Sequence, residues 1–367
     1  MRFHIVSLPH TQTTKEYCAC AYTQKVLNFC KMMNALGHQV FHYGAQGSTV
    51  ECTEHIDIIS SEEQWSFFGN HDWKARGFSL GWNADLPYWK LTNLRASKEI
   101  RKRAKPGDFV CLIGGNCQKP IADALPDLIV TEPFVGYYGV FTKYRAFESY
   151  THQSGVYAQL NQSPDGSIWD AVIPNYFDPA DFPLCAEKGD YLLYVGRLIR
   201  RKGLDIAVAA AKASGRKLIL VGQGAKEVTE NSLTTDEGQQ FPLGDGIEYV
   251  GYADVAKRAA LMGHARALLA PTTYVEPFGG VVVEAQLCGT PVVTTDFGAF
   301  CENVNDGVTG FRCHGPEEFA AAVATGVDAL NPEQIREWAM SRYSLDVVAL
   351  KFEKWFSRLA TFITACQ

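Results

Sequence analysis

A chain of 367 residues, 47% hydrophobic and 20% charged, is long enough for two folding units and too apolar for a disordered, coiled-coil or collagen-like protein. Its 34 basic and 40 acidic side chains leave a net charge of −6, which argues against a protein whose main task is gripping nucleic acid or an anionic membrane. The 32 glycines and 16 prolines are spread along the chain, as a fold with many strand-to-helix turns requires.

The first apolar run, Phe3 to Leu8, reads as a buried strand; interrupted by His4 and Ser7 and stopped at Pro9, it is too short for a signal-peptide core. A polar loop, His10 to Lys15, leads to Val26, Phe29, Cys30, Met33 and Leu36 at helical spacing, and Gly37 closes that helix. A second strand, Val40 to Tyr43, stops at Gly44, so the opening segment is a strand, helix, strand unit of the doubly wound kind. Between Ser61 and Lys90 stand Trp65, Trp73, Trp82 and Trp89 with Phe67, Phe68 and Tyr88, which suit either local core or the faces of sugar rings or bases. The run Arg95, Lys98, Arg101, Lys102, Arg103 and Lys105 reads as a solvated helical face, with an anionic acceptor as the alternative. Further strands are expected at Phe109 to Ile113, at Leu128 to Val130 just before Thr131-Glu132-Pro133, and at Ala171 to Ile173.

The stretch Pro174 to Pro183 holds three prolines and two aspartates, which neither a helix nor a central strand tolerates. It marks the boundary between a first domain, 1–178, and a second, 179–345, followed by a terminal segment, 346–367, whose amphipathic helix is able to pack back on the first domain. In the second domain Tyr191 to Val195, Lys217 to Val221, Ile247 to Val250, Ala267 to Ala270 and Pro291 to Thr294 read as strands of another parallel sheet, separated by alanine-rich helices. The fold class is therefore α/β, two doubly wound Rossmann-like domains facing a cleft, with a ligand at the carboxyl ends of the strands. No apolar window of about 18 residues is present, so no membrane-spanning helix is expected. Eleven cysteines without a C-x-x-C pair read as free thiols of a reducing compartment, the cytoplasm; zinc at Cys18-x-Cys20 is the weaker alternative, and no metal site is expected.

Three segments carry the chemistry. In Pro271-Thr272-Thr273-Tyr274-Val275-Glu276-Pro277-Phe278-Gly279-Gly280-Val281-Val282-Val283-Glu284, two carboxylates stand eight residues apart around a glycine turn that opens a helix. Its exposed amides suit an anion, and an acid inside so apolar a helix needs a partner. In Gly196-Arg197-Leu198-Ile199-Arg200-Arg201-Lys202-Gly203, a strand ends at a glycine and two cations follow, five residues apart, suited to neutralising a diphosphate. The third is the turn Gly222-Gln223-Gly224.

Taken in order, G-R-L-x-x-x-K-G, V-G-x-G, Val250-Gly251-Tyr252, P-T-x-x-x-E-P-F-G with E-x7-E, Gly289 to Asp296 (G-T-P-V-V-T-T-D) and Asn305 to Phe311 (N-D-G-V-T-G-F) resemble the retaining glycosyltransferases of GT-B architecture, glycosyltransferase family 4. The resemblance covers the second domain. It implies that Glu276 contacts the donor sugar, that Glu284 binds the ribose hydroxyls, and that Arg197 and Lys202 hold the donor diphosphate. Phe278, Gly279 and Gly280 accompany the diphosphate, while Gly222, Gly251 and Tyr252 frame the nucleobase. In the first domain the family's Gly-Gly turn is replaced by Pro9-His10-Thr11-Gln12-Thr13-Thr14, and its histidine is missing after Val130; Glu132 stands there as a cleft-facing catalytic candidate or as a loop acid. Glu148 and His152 lie in a polar stretch that resembles some bacterial and phage members.

The function implied is metal-independent, retaining transfer of a sugar from a nucleotide-diphosphate sugar to an acceptor hydroxyl of a glycan, a lipid-linked sugar, a small molecule or a modified nucleobase. The nucleotide sugar is the donor substrate and no further cofactor is expected. Net charge disfavours a nucleic-acid partner. The alternatives are a nucleotide-sugar epimerase or glycan phosphorylase of the same architecture, and a non-catalytic nucleotide-sugar-binding protein.

Overall fold

A computed structural model describes residues 1–69, 71–160 and 165–365. The chain forms two compact units, one made of Met1–His71, Phe78–Tyr176 and the segment from Leu345 onward, the other of Asp72–Gly77 and Phe177–Ser344.

The first unit is built on seven parallel strands, β1 (Arg2–Val6), β2 (Gln39–Ala45), β3 (Glu54–Ile59), β4 (Phe109–Cys111), β5 (Ile129–Val135), β6 (Tyr144–Phe147) and β7 (Ala171–Val172), in the order β3-β2-β1-β4-β5-β6-β7. That order reverses between β1 and β4, as in a doubly wound sheet. The helix Ala21–Ala35 stops where the sequence predicts, with Gly37 at φ 78 just beyond its last turn. One face of the sheet is covered by this helix and by the terminal helix Leu345–Ala365: Phe3, Phe29, Phe109, Phe352 and Phe356 meet there, with Phe3 and Phe356 ring centroids 4.7 Å apart.

One expectation changes here, and two others gain detail. The strand expected to stop at Val130 continues to Val135, and Glu132 lies inside it; Pro133 is accommodated where the pairing with β6 shifts register between Glu132 and Val135. The aromatic cluster divides, because Trp89 is fully buried, Trp65 and Trp82 are exposed, and Trp73 belongs to the second unit. The basic helical face is laced with acids: Arg95 pairs with Glu63 (2.6 Å), Arg101 with Asp127 (2.6 Å) and Arg103 with Glu54 (2.7 Å).

Behind the first turn of this unit, His42 is buried and hydrogen-bonded through Nε2 to Ser7 Oγ (2.7 Å) and through Nδ1 to His55 Nδ1 (2.8 Å). Burial, reinforced by the neighbouring His55, lowers its pKa from 6.5 to about 3. As pH falls through 6.5 the unfolded chain takes up a proton that the folded chain refuses until about pH 3, so stability present above 6.5 is lost across that window. The loss should amount to about 2 kcal/mol between pH 6.5 and 5. Urea unfolding at both pH values should register it, and His42→Gln should flatten the dependence.

The second unit carries six parallel strands, β8 (Tyr191–Val195), β9 (Lys217–Val221), β13 (Ile247–Gly251), β14 (Ala267–Ala270), β15 (Val292–Thr295) and β16 (Gly310–Cys313), in the order β13-β9-β8-β14-β15-β16. Between β9 and β13 a small antiparallel sheet intervenes, β10 (Ala225–Val228), β11 (Ser232–Thr235) and β12 (Gln240–Pro242), which the sequence does not announce. The helices Leu204–Ser214, Val255–His264 and Gly280–Leu287 bury their apolar residues in two clusters, one on Val282, Val283 and Phe300, the other on Leu204, Val208 and Phe319. Among the described residues no helix is long and apolar enough to cross a membrane, and the ten described cysteines are all free thiols.

Candidate functional site at the switch point of the second sheet

The strand order of the second unit reverses between β8 and β14, so the loops leaving these two strands, Gly196–Gly203 and Pro271–Gly279, flank the position where open α/β sheets bind ligands. These loops hold the predicted charges. They are laced together by backbone: Thr273 N donates to the Arg201 carbonyl at 2.9 Å, and Gly203, at φ 71, lies so close to Pro271 that a Cβ there would sit 1.9 Å from the Pro271 carbonyl oxygen.

Three turn glycines form a shelf beside them. Gly196 N donates to Val221 O (3.0 Å), Gly222 N donates to Gly251 O (3.0 Å), and Leu198 N donates to Gln223 O (2.8 Å). The ends of β8, β9 and β13 are thereby stitched edge to edge, with Tyr249 donating its hydroxyl to the Gly222 carbonyl at 2.8 Å.

Lys202 Nζ lies 2.5 Å from Glu276 Oε2, their side chains 23% and 11% exposed. Tyr274, which the motif reading passed over, stands over this pair: Lys202 Nζ is 5.0 Å and the Arg201 guanidinium 4.6 Å from its ring centroid. Burial first, then the charge of Glu276 and a hydrogen bond to it, raise the Tyr274 phenol, so it stays a donor to the carboxylate. Arg197 is exposed on the same loop, joins no ion pair among the described residues, and contributes positive field at Tyr274. Glu276 is itself held from behind, where Ala299 N donates to its carbonyl at 3.0 Å and Gly298 leaves no room for a side chain.

Gly279, at φ 78, caps the helix Gly280–Leu287, and a Cβ there would meet the Phe300 ring at 2.5 Å. The first-turn amides of that helix are donors that an α-helix leaves unsatisfied. The Phe278 side chain is 2% exposed, stacked on Phe177 (centroids 6.3 Å) and against Tyr343, while its carbonyl accepts a hydrogen bond from the Asn303 side chain. Its ring anchors the turn. Glu284 sits in that helix with Arg258 gripping it in a two-point fork, Nε to Oε2 at 2.7 Å and Nη2 to Oε1 at 2.9 Å. Burial pushes the Glu284 carboxyl up and Arg258 pulls it back. An ionised carboxylate has about four lone-pair sites, so each oxygen retains acceptor capacity for a hydroxyl.

Tyr252 follows the shelf and stands edge to face with Trp73, ring centroids 5.5 Å apart. In the first unit Glu132 is fully buried. Its Oε2 accepts from the amides of Phe141 (3.0 Å) and Thr142 (2.9 Å) and from the Thr142 hydroxyl (2.9 Å), and its Oε1 accepts from the Tyr137 hydroxyl (3.0 Å). The strand-end position expected of it is therefore corrected, since this carboxylate folds the 137–142 loop over itself. Glu148 is buried as well, paired with Lys25 and accepting from Asn175 Nδ2 at 2.9 Å, and His152 Nε2 meets the Tyr137 carbonyl at 3.1 Å. Among the described residues no three His, Cys, Asp or Glu side chains gather as a metal would require.

The second unit is a doubly wound domain whose switch point gathers paired cations and carboxylates beside a glycine-opened helix. Residues 181–334 match the family described as glycosyl transferases group 1. The chain is 35% identical over 162 residues to the glycogen synthase of Mycobacterium tuberculosis, a match that takes in 42% of this chain and 38% of that protein's length. Over nearly the whole chain the fold is that of solved GT-B glycosyltransferases. A glycosyltransferase involved in avilamycin A biosynthesis superposes with a TM-score of 0.67 at 21% identity, covering 98% of both chains. Anabaena HepE in complex with UDP and glucose gives 0.65 at 16%, covering 98% of this chain and 100% of its own.

Proposed function

We propose that the protein is a retaining glycosyltransferase that moves a sugar from a nucleotide-diphosphate donor to an acceptor hydroxyl. The observation that carries this reading is the Lys202–Glu276 pair at the switch point, with Arg197 exposed on the same loop. The glycogen synthase and HepE likenesses support a sugar-nucleotide donor. In the reaction the bond from the anomeric carbon to the leaving phosphate oxygen breaks, a bond to the acceptor oxygen forms on the same face, and the acceptor proton passes to the leaving phosphate. Arg197, Lys202 and the amides after Gly279 stabilise the charge that develops on the diphosphate, the task a metal ion performs in other transferases. Glu276 orients the sugar through its hydroxyls, and Glu284 with Arg258 meets the ribose. Action in the cytoplasm fits the thiol-rich composition.

The test is incubation with UDP-, GDP-, ADP- and dTDP-sugars, with and without EDTA, in the presence of an acceptor mixture of glycans, lipid-linked sugars and small polyols. Acceptor-dependent release of nucleoside diphosphate, insensitive to EDTA and giving a product of unchanged anomeric configuration, is the expected result. Interconversion of the donor sugar without release would favour an epimerase, phosphate-dependent cleavage of a glycan a phosphorylase, and tight donor binding without turnover a binding protein.

A further inference from the structure

Lys202 is carried by a very short element. Arg200–Lys202 makes a single 3-10 turn, and the residue before it, Ile199, has no polar side-chain atom with which to cap it. The end of the turn is well held: Gly203 N donates to the Arg200 carbonyl at 3.0 Å, and Thr273 N, on the loop after β14, donates to the Arg201 carbonyl at 2.9 Å. Inside the turn Lys202 N donates to Ile199 O at 2.9 Å. The amide of Arg200, first in the turn, has no acceptor within it.

That amide is met from elsewhere in the second unit. Glu237 Oε2 accepts from Arg200 N at 2.6 Å, across 37 residues of sequence, a separation at the short end of charge-assisted hydrogen bonds. Glu237 stands at the tip of the hairpin that joins β11 to β12. Gly238, at φ 79, donates its amide to Thr235 O (2.9 Å), and Thr235 N donates to Gln239 O (2.8 Å), which closes the tip into a tight turn. The tip is anchored as well, because Thr235 is fully buried and Asp236 N donates to the Gly224 carbonyl at 2.9 Å, on the loop after β9. Although Arg197, Arg200, Arg201 and Lys202 all stand on the loop it touches, Glu237 forms no ion pair with them among the described residues; its carboxylate is given to the backbone.

We propose that Glu237 is a positioning residue of the donor site: it fixes the start of the Arg200–Lys202 turn, as Thr273 fixes its end, and so holds the Lys202 ammonium ready for the diphosphate. The proposal rests on the donor reading above and adds to it a residue from the small sheet that no motif marks. An ammonium on a flexible four-carbon stem is aimed by the backbone that carries it. With the turn fixed at one end only, charge that was preorganised has to be gathered during the reaction. On charge alone an acid at this place opposes an incoming anion, whereas the positioning role acts through the hydrogen bond that the acid accepts. These effects have opposite signs, and a neutral acceptor separates them.

Glu237→Gln keeps an acceptor oxygen and removes the charge; Glu237→Ala removes both. In the full chain the Arg200 amide should exchange its hydrogen about five- to tenfold faster in Glu237→Ala and close to the original rate in Glu237→Gln, as read by NMR. With whichever of the UDP-, GDP-, ADP- and dTDP-sugars is turned over fastest, kcat should fall about three- to tenfold in Glu237→Ala, and Glu237→Gln should recover the rate to within about twofold. Pyrophosphate affinity, measured by calorimetry, should follow the same order, while the three proteins melt alike because Glu237 is exposed. Unchanged turnover in Glu237→Ala, equal losses in the two variants, or faster turnover and tighter pyrophosphate binding in both overturns the assignment. If the unsubstituted protein binds neither pyrophosphate nor a nucleoside diphosphate, the donor reading falls and takes this inference with it, even where amide exchange responds as expected.

Discussion

Lys202→Ala should lower turnover by about two to three orders of magnitude, the loss seen when a preorganised charge is removed from a developing anion. The side chain has two possible duties. It neutralises Glu276, 2.5 Å away and with its side chain only 11% exposed, and it offers positive charge to a diphosphate at the switch point. A double-substitution cycle separates these duties. If neutralising Glu276 were all that mattered, adding Glu276→Gln to Lys202→Ala would remove the uncompensated acid and restore turnover. The expected result is no restoration, because the donor still lacks its cation and now also loses the carboxylate that orients the sugar. Lys202→Arg should recover part of the rate, since charge returns while the planar fork cannot reproduce the point contact of an ammonium over Tyr274. Steady-state kcat and KM for the unsubstituted protein, Lys202→Ala, Glu276→Gln, the double variant and Lys202→Arg, alongside melting curves, check this; recovery of the rate in the double variant would remove Lys202 from the donor site.

Much of this site is legible in the sequence because of how parallel strands are buried. Tyr191–Val195, Lys217–Val221 and Ala267–Ala270 are found with the boundaries the sequence suggests, since a strand covered on both faces is a continuous apolar run and a glycine or proline follows it at once. The same logic fails for β10–β12, whose Lys226, Glu227 and Val228 face solvent and whose pairing is antiparallel, so no apolar run marks them. It fails again at Glu132, where Pro133 reads as a stop and the sheet instead absorbs it in a register shift. The partners of the predicted acids are a different kind of omission. Lys202 meets Glu276 across 74 residues, between two loops that the strand order brings together, and Arg258 meets Glu284 across 26, between the helices Val255–His264 and Gly280–Leu287. Trp73 is the extreme case: nothing in its neighbourhood of the sequence distinguishes it from Trp65 or Trp82, and only the folded chain shows it on the β9 turn.

Gly222→Ala should be among the most damaging single-methyl additions in the second unit. The added Cβ would lie 1.7 Å from the Gly196 carbonyl oxygen and 2.7 Å from its carbon, at a φ of 151 that side-chain-bearing residues rarely adopt. Neither strand end is able to withdraw: Gly196 is bonded to Val221, and Gly222 to Gly251 through its amide and to Tyr249 through its carbonyl. Relief therefore requires breaking the shelf, a cost of about 4 kcal/mol or more against the roughly 5–15 kcal/mol that holds a typical domain together. The variant should express poorly or show a second unit that melts well below the first. Gly251→Ala provides the comparison. It has the same left-handed backbone problem at φ 76 and no steric one, so its cost should be confined to about 1–2 kcal/mol. Its methyl would meet no atom within 4 Å, so the protein should still fold. Calorimetric melting of both variants distinguishes a glycine that the fold demands through close contact from one demanded by its backbone conformation alone. Equal destabilisation by the two would mean that the shelf yields more easily than its geometry indicates.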